Sequence, residues 1–183
     1  MGGQATPGGG VLSGPNLISL ARLPLAVAFV LVPGVAVRLP VLAAAAASDL
    51  LDGWLARRLG PSRLGAVLDP VTDKVFMIAA FATLAASGAL TPLEIAGVLL
   101  RDILAPIGYL AGVVLRRPFS VPARVGGKAV TAGQSLTLVA WLLDSRYLEP
   151  LAWATAAIAL YAIADYGRLV VRHGGRLRQG GSA

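Results

Sequence analysis

The 183-residue chain is 56% hydrophobic and only 14% charged, whereas soluble domains carry roughly 25% charged residues, so disorder and an ordinary water-soluble domain are both excluded. It has no cysteine, which removes disulfides, thiolate metal sites and thiol nucleophiles. The formal net charge is +7; because the basic residues flank apolar stretches, an anionic lipid surface explains them better than nucleic acid does.

Residues 1–15, "MGGQATPGGGVLSGP", are glycine-rich, lack the basic start of a secretory signal and read as a flexible tail. Six apolar stretches follow, at roughly 17–34, 39–58, 69–89, 92–115, 127–145 and 148–171. Each approaches the about 20 residues that a membrane-spanning helix needs. Alanine and leucine dominate, and no period-two alternation marks a strand. Pro33-Gly34, Gly60-Pro61, Ser87-Gly88 and Pro118 punctuate the stretches with turn chemistry. The expected architecture is all-α: a polytopic membrane domain of six transmembrane helices over residues 16–172, followed by a basic flexible tail at 173–183.

Charge placement sets the orientation. Arg57, Arg58 and Arg63 lie between the second and third stretches, and Arg116, Arg117, Arg124 and Lys128 between the fourth and fifth. Arg172, Arg176 and Arg178 follow the sixth. The alternate connections hold Arg38, then Glu94, then Asp144, Arg146 and Glu149. The positive-inside rule therefore puts both termini and the two basic loops in the cytoplasm. Trp54, Trp141, Trp153, Tyr147 and Tyr166 suit interfacial anchoring. Gly97, Gly108 and Gly112 suit close helix packing. His173, the only histidine, falls in the basic tail.

Four aspartates stand out in "SDLLDGWLARRLGPSRLGAVLDPVTDKV", residues 48–75. Asp49 and Asp52 are three apart and share one helix face; Asp69 and Asp73 are four apart and share a face of the next helix. A short turn between antiparallel helices brings both pairs to one depth. A carboxylate deep in a membrane helix costs about 2.5–3.5 kcal/mol, and four repel one another, so divalent cations are the natural compensation. An all-oxygen donor set favours Mg²⁺, Mn²⁺ or Ca²⁺ over Zn²⁺. Four carboxylates suit two ions about 3.5–4 Å apart, an arrangement used for in-line displacement at phosphorus. Gly53 and Ala56 keep the intervening face low, Arg57 offers a forked donor to a phosphate, and Gly65 permits close approach before Asp69.

"DLLDGWLARRLGPSRLGAVLDPVTD" resembles the signature of the CDP-alcohol phosphatidyltransferases, D-x-x-D-G-x-x-A-R, seven or eight residues, then G-x-x-x-D-x-x-x-D. Seven residues separate Arg57 from Gly65, and every fixed position is filled. The six-span layout extends the resemblance over nearly the whole chain. The resemblance implies transfer of a substituted phosphate from a CDP-linked donor, CDP-diacylglycerol, to an alcohol with release of CMP. It implies that Asp49, Asp52 and Asp69, with Asp73 sharing the site, hold two divalent ions, Mg²⁺ or Mn²⁺, on the donor diphosphate. Asp73 would also be the general base. Gly53, Ala56 and Arg57 would contact the CDP part, with Gly65 close by. It further implies a homodimer in a bacterial inner membrane, with the active site facing the cytoplasm.

The acceptor depends on residues outside the signature. Arg101 in "RDILAPIGY", Lys128 in "GGKAVTAGQ" and Arg168 in "DYGRLVVR" are candidates for the acceptor side. Bacterial phosphatidylglycerophosphate synthases are similar in these places, but usually carry basic residues where this chain has Val130 and Tyr109. Cardiolipin synthases of the same superfamily lack both and often show a Tyr-Gly-Arg-like end to the last span. Phosphatidylglycerol is therefore the first choice of acceptor and glycerol 3-phosphate the second, ahead of inositol phosphate and serine. Asn16 and Arg22 resemble a loose N-terminal pattern that assigns them no role. Two readings of another class fit the chain less well. A divalent-cation transporter would spread its carboxylates through the membrane depth, and a non-catalytic scaffold would be expected to have lost one of them.

Overall fold

The computed structural model describes the backbone of residues 14–59, 65–114 and 125–179, and the side chains of 17–49, 51, 68–107 and 127–165. Six helices and no strand occur among the described residues: α1 (Gly14–Leu31), α2 (Val35–Leu59), α3 (Gly65–Ser87), α4 (Pro92–Val114), α5 (Val125–Leu142) and α6 (Leu148–Gln179). They coincide with the six apolar stretches to within a few residues at most ends. The last helix runs further, through the basic segment to Gln179. The tail at residues 1–13 and the basic connections at 60–64 and 115–124 lie outside the described residues.

The chain forms two compact units, Met1–Ala86 and Ser87–Ala183. In the first, α1 packs on α2, and Phe29 of α1 meets Phe76 of α3 edge-on with ring centroids 5.7 Å apart. Ala26, Leu42, Ala45, Met77, Ala80, Phe81 and Leu84 are buried in this unit. Gly34 makes the turn between α1 and α2 at φ +105°, a conformation an L side chain rarely adopts. Its carbonyl accepts from the Val37 and Arg38 N–H groups at 3.3 and 3.1 Å, starting α2. Arg38 then folds back on α1: Nε donates to the Phe29 carbonyl at 2.9 Å and Nη2 to that of Val30 at 3.5 Å. A cation expected in a connection thus stands in the first turn of α2 and closes the carbonyl end of α1, where a cation is favoured.

In the second unit α4 and α5 both pack on α6. Thr91, Pro92 and Glu94 open α4 as a capping box: the Thr91 N–H donates to Glu94 Oε2 at 2.8 Å and the Glu94 N–H to Thr91 Oγ1 at 3.3 Å. Glu94, counted above with the loop charges, is therefore buried as a cap. Gly97 admits α6 closely, since a Cβ there would lie 2.9 Å from the Ala156 Cβ; Gly108 and Gly112 lie outside the described side chains. Val130 of α5 packs with Ala159 and Ala162 of α6. The end of α5 is closed by Asp144 at φ 49°. The Asp144 N–H donates to the Trp141 carbonyl at 3.1 Å and the Ser145 N–H to that of Ala140 at 2.9 Å, a Schellman closure.

Among the described residues, Leu68–Ser87 is long and apolar enough to cross a membrane, and Leu17–Leu31 is apolar but shorter. Both helices expose large apolar side chains while burying a few polar ones. Leu23, Val27 and Val30 of α1 and Val71, Val75 and Ile78 of α3 are exposed, while Ser19, Arg22 and Thr72 are buried. Helices α1 to α4 each contain a proline, Pro24, Pro40, Pro70 and Pro106, which removes a ladder donor and is tolerated where neighbouring helices re-satisfy the backbone.

Candidate functional site

The signature falls on the last turns of α2 and the first turns of α3. Asp49 stands on α2 with 62% of its side chain exposed. Asp69 and Asp73 stand one turn apart on α3, both half-buried. The side chains of Asp52, Ala56 and Arg57, like Gly53, lie on α2 outside the described residues, and Gly65 is the first residue of α3.

Helix α1 meets both signature helices through neighbouring residues. The Ser19 hydroxyl donates to Asp69 Oδ1. One turn on, Arg22 Nη2 lies 3.5 Å from Asp49 Oδ1, and its Nε donates to the Ser48 hydroxyl oxygen at 2.9 Å. Ser48 in turn donates to the Ala45 carbonyl at 2.8 Å. Both α1 side chains are only 1% exposed. Residues three apart on α1 thus engage both α2 and α3. Sequence spacing predicts convergence of the carboxylate pairs but gives no sign of Ser19. The serine stands out only as a polar residue in an apolar stretch, which is more often a hydroxyl bonded within its own helix.

The four aspartates expected to hold metal offer hard oxygen throughout, matching Mg²⁺ or Mn²⁺ in chemistry. Two of them, Asp49 and Asp69, have partners on one face of α1. Among the described residues no three ligating side chains are gathered into one cluster, and Asp52 lies outside them.

The acceptor-side candidates belong to the second unit. Arg101 of α4 donates through Nη1 to the Gly127 carbonyl of α5 at 3.3 Å. Its neighbour Asp102 accepts from Gln134 Nε2 at 2.5 Å, and the same amide donates to the Val98 carbonyl at 3.0 Å. Lys128 is exposed beside Gly127. Arg101 of α4 thus meets the start of α5, one residue before Lys128. The side chains of Arg168 and Tyr109 lie outside the described residues. Val130 is fully buried.

Residues 12–164 match the model of the CDP-alcohol phosphatidyltransferase family. A CDP-diacylglycerol–glycerol-3-phosphate 3-phosphatidyltransferase of Aquifex aeolicus is 37% identical over 131 residues, covering 68% of this chain and 72% of its own. Proteins of Mycobacterium bovis and Mycobacterium tuberculosis provisionally named cardiolipin synthase are 34% identical over 167 residues, covering 83% of this chain and 78% of theirs. No solved structure matches significantly.

Proposed function

The chain belongs to the CDP-alcohol phosphatidyltransferase family and is an enzyme of phospholipid biosynthesis; on that premise we propose that it transfers the phosphatidyl group of CDP-diacylglycerol to the free hydroxyl of phosphatidylglycerol, forming cardiolipin and CMP. Six helices spanning a bacterial inner membrane, both termini and the site on the cytoplasmic side, and a homodimeric assembly complete the proposal. The exposed valines and leucines of α1 and α3, set against buried Ser19, Arg22 and Thr72, support a lipid surround, since intramembrane polar groups face the bundle interior.

In this scheme Asp49, Asp52, Asp69 and Asp73 would hold two divalent ions, which when bound neutralise the donor diphosphate and stabilise the CMP leaving group. Gly53 and Ala56 leave room for the CDP part, Arg57 binds it, and Gly65 allows close approach. The acceptor oxygen attacks the phosphorus that carries the diacylglycerol. The bond from that phosphorus to the CMP oxygen breaks, and the acceptor proton passes to an Asp73 carboxylate oxygen. A positioned carboxylate need only take the proton as the new bond forms, and such transfer depends on alignment and charge neutralisation more than on covalent help.

The observation that carries the acceptor choice is Val130, with 0% of its surface exposed in the α5–α6 contact. A second cation for a terminal phosphate has no place there, which suits a phosphodiester lipid presented to Arg101, Lys128 and Arg168. Glycerol 3-phosphate is the second reading, favoured by the name of the Aquifex relative.

The test is a reaction of purified protein with labelled CDP-diacylglycerol and Mg²⁺, offered phosphatidylglycerol, glycerol 3-phosphate, inositol phosphate or serine. Cardiolipin is the expected product. Phosphatidylglycerophosphate would establish the second reading, and absence of CMP with every acceptor would sink the transferase assignment for this chain.

A further inference from the structure

Hydroxyl side chains inside these helices mostly bond within their own helix. Thr72, Thr83, Thr131, Ser135, Thr137 and Thr155 each donate to the carbonyl four residues earlier. Ser19 bonds across a helix boundary as well. Its proton goes across to a carboxylate on α3. Arg22, one turn on and 1% exposed, is also committed across a helix boundary, to Ser48 and Asp49 of α2.

We infer that Ser19 and Arg22 are positioning residues of the transferase site: from α1 they orient the Asp69 and Asp49 carboxylates for a divalent cation, so that α1 forms part of a site whose signature lies wholly on α2 and α3. The inference rests on the proposed role of the carboxylates. An ionised carboxylate has about four lone-pair directions. Ser19 occupies one on Asp69 and restricts how the carboxylate can turn. Arg22 approaches Asp49 from the buried side and leaves its exposed side open to a ligand. The run Arg22–Ser48–Ala45 ties the guanidinium to the Ser48 hydroxyl, one residue before Asp49, and through it to the Ala45 carbonyl of α2, which restrains the direction of the fork. Loss of such outer partners typically lowers metal affinity or activity about 10- to 100-fold.

Arg22 itself is an ambiguous probe. Its positive charge opposes a metal ion while its positioning assists one, so its removal mixes two signs. Ser19→Ala and Ser48→Ala change no charge and isolate the positioning term. The full chain in detergent is titrated with Mn²⁺, free ion being read by electron paramagnetic resonance. Half-maximal Mn²⁺ for CMP release and the unfolding temperature are measured beside it. Ser19→Ala is expected to weaken Mn²⁺ binding about tenfold, Ser48→Ala to weaken it in the same direction, and Ser19→Thr to restore it. A merely structural role lowers the unfolding temperature and leaves Mn²⁺ affinity at the wild-type value in both alanine variants; that result overturns the inference. If Ser19→Ala does not fold, Ser48→Ala alone decides in the same way. Wild type that binds Mn²⁺ but makes no CMP would defeat the proposed reaction while the affinity comparison still judges Ser19 and Ser48. Wild type that binds no Mn²⁺ defeats the carboxylate site and the inference together.

Discussion

Gln134 of α5 and Asp102 of α4 are joined by a 2.5 Å hydrogen bond, and the same amide donates to the Val98 carbonyl at 3.0 Å. Gln134 is 2% exposed, so its amide bridges the two helices in a medium where unmade hydrogen bonds are expensive. Replacing it with leucine keeps the bulk and removes both donors. Gln134→Leu should destabilise the protein by about 1–3 kcal/mol, read as a lower midpoint of thermal unfolding in detergent. Gln134→Glu should be worse, because it sets a second carboxylate against Asp102.

Two glycines of α5 should respond differently to the same methyl group. A Cβ on Gly127 would lie 2.6 Å from Arg101 Nη2, the free end of a long side chain. A Cβ on Gly133 would lie 2.6 Å from Thr155 Oγ1 and 3.2 Å from its Cβ. Thr155 is buried and bonded to the Leu151 carbonyl at 2.7 Å. Gly133→Ala therefore forces α5 from α6 and should cost about 1–3 kcal/mol of stability. Gly127→Ala should fold nearly as well as wild type but move Arg101. With Arg101 on the acceptor side, KM for the acceptor should rise about tenfold, the worth of a hydrogen bond to a charged group. KM for CDP-diacylglycerol should stay unchanged. Initial-rate kinetics with each substrate varied in turn separate the two.

How far the sequence carried is visible in these same residues. The six helices were legible because apolar length and turn chemistry are local, down to Pro33-Gly34 at the start of α2. The Thr91–Glu94 capping box was equally local and could have been taken from "TPLE". The pairing of Asp49 with Asp52, and of Asp69 with Asp73, follows from helical spacing alone. What spacing cannot give is the α1 side of the site. Ser19 reaches Asp69 across 50 residues and Arg22 reaches Ser48 across 26, and both contacts depend on how α1 packs. Arg22 fits only a loose N-terminal pattern, and Arg38 counts only as a loop charge until it is seen folded over Phe29. The Arg101–Gly127 and Asp102–Gln134 contacts are illegible for the same reason.

Asp73 is assigned the proton as well as a share of the metal, and these roles separate by experiment. Asparagine keeps the shape and one oxygen but cannot act as a base. At saturating Mg²⁺, Asp73→Asn should retain CDP-diacylglycerol binding while kcat falls about 10²- to 10⁴-fold, the usual worth of a general base. Equilibrium binding of the donor and CMP release measure the two sides. Wild-type turnover in this variant would remove Asp73 as the base.

Val130 gives the acceptor assignment its sharpest test. The position is fully buried against Ala159 and Ala162. A lysine there would need to leave the α5–α6 contact or bury an uncompensated charge. Val130→Lys should therefore cost about 3 kcal/mol or more, and it should not gain turnover with glycerol 3-phosphate. Val130→Ile, which adds one methylene and no charge, should stay within about 1–3 kcal/mol of wild type and keep its acceptor profile. Thermal unfolding with product identification checks both variants. A stable Val130→Lys protein that turns over glycerol 3-phosphate faster than wild type would mean that position 130 faces the acceptor rather than packing between α5 and α6, and the burial of Val130 would no longer be what carries the acceptor choice.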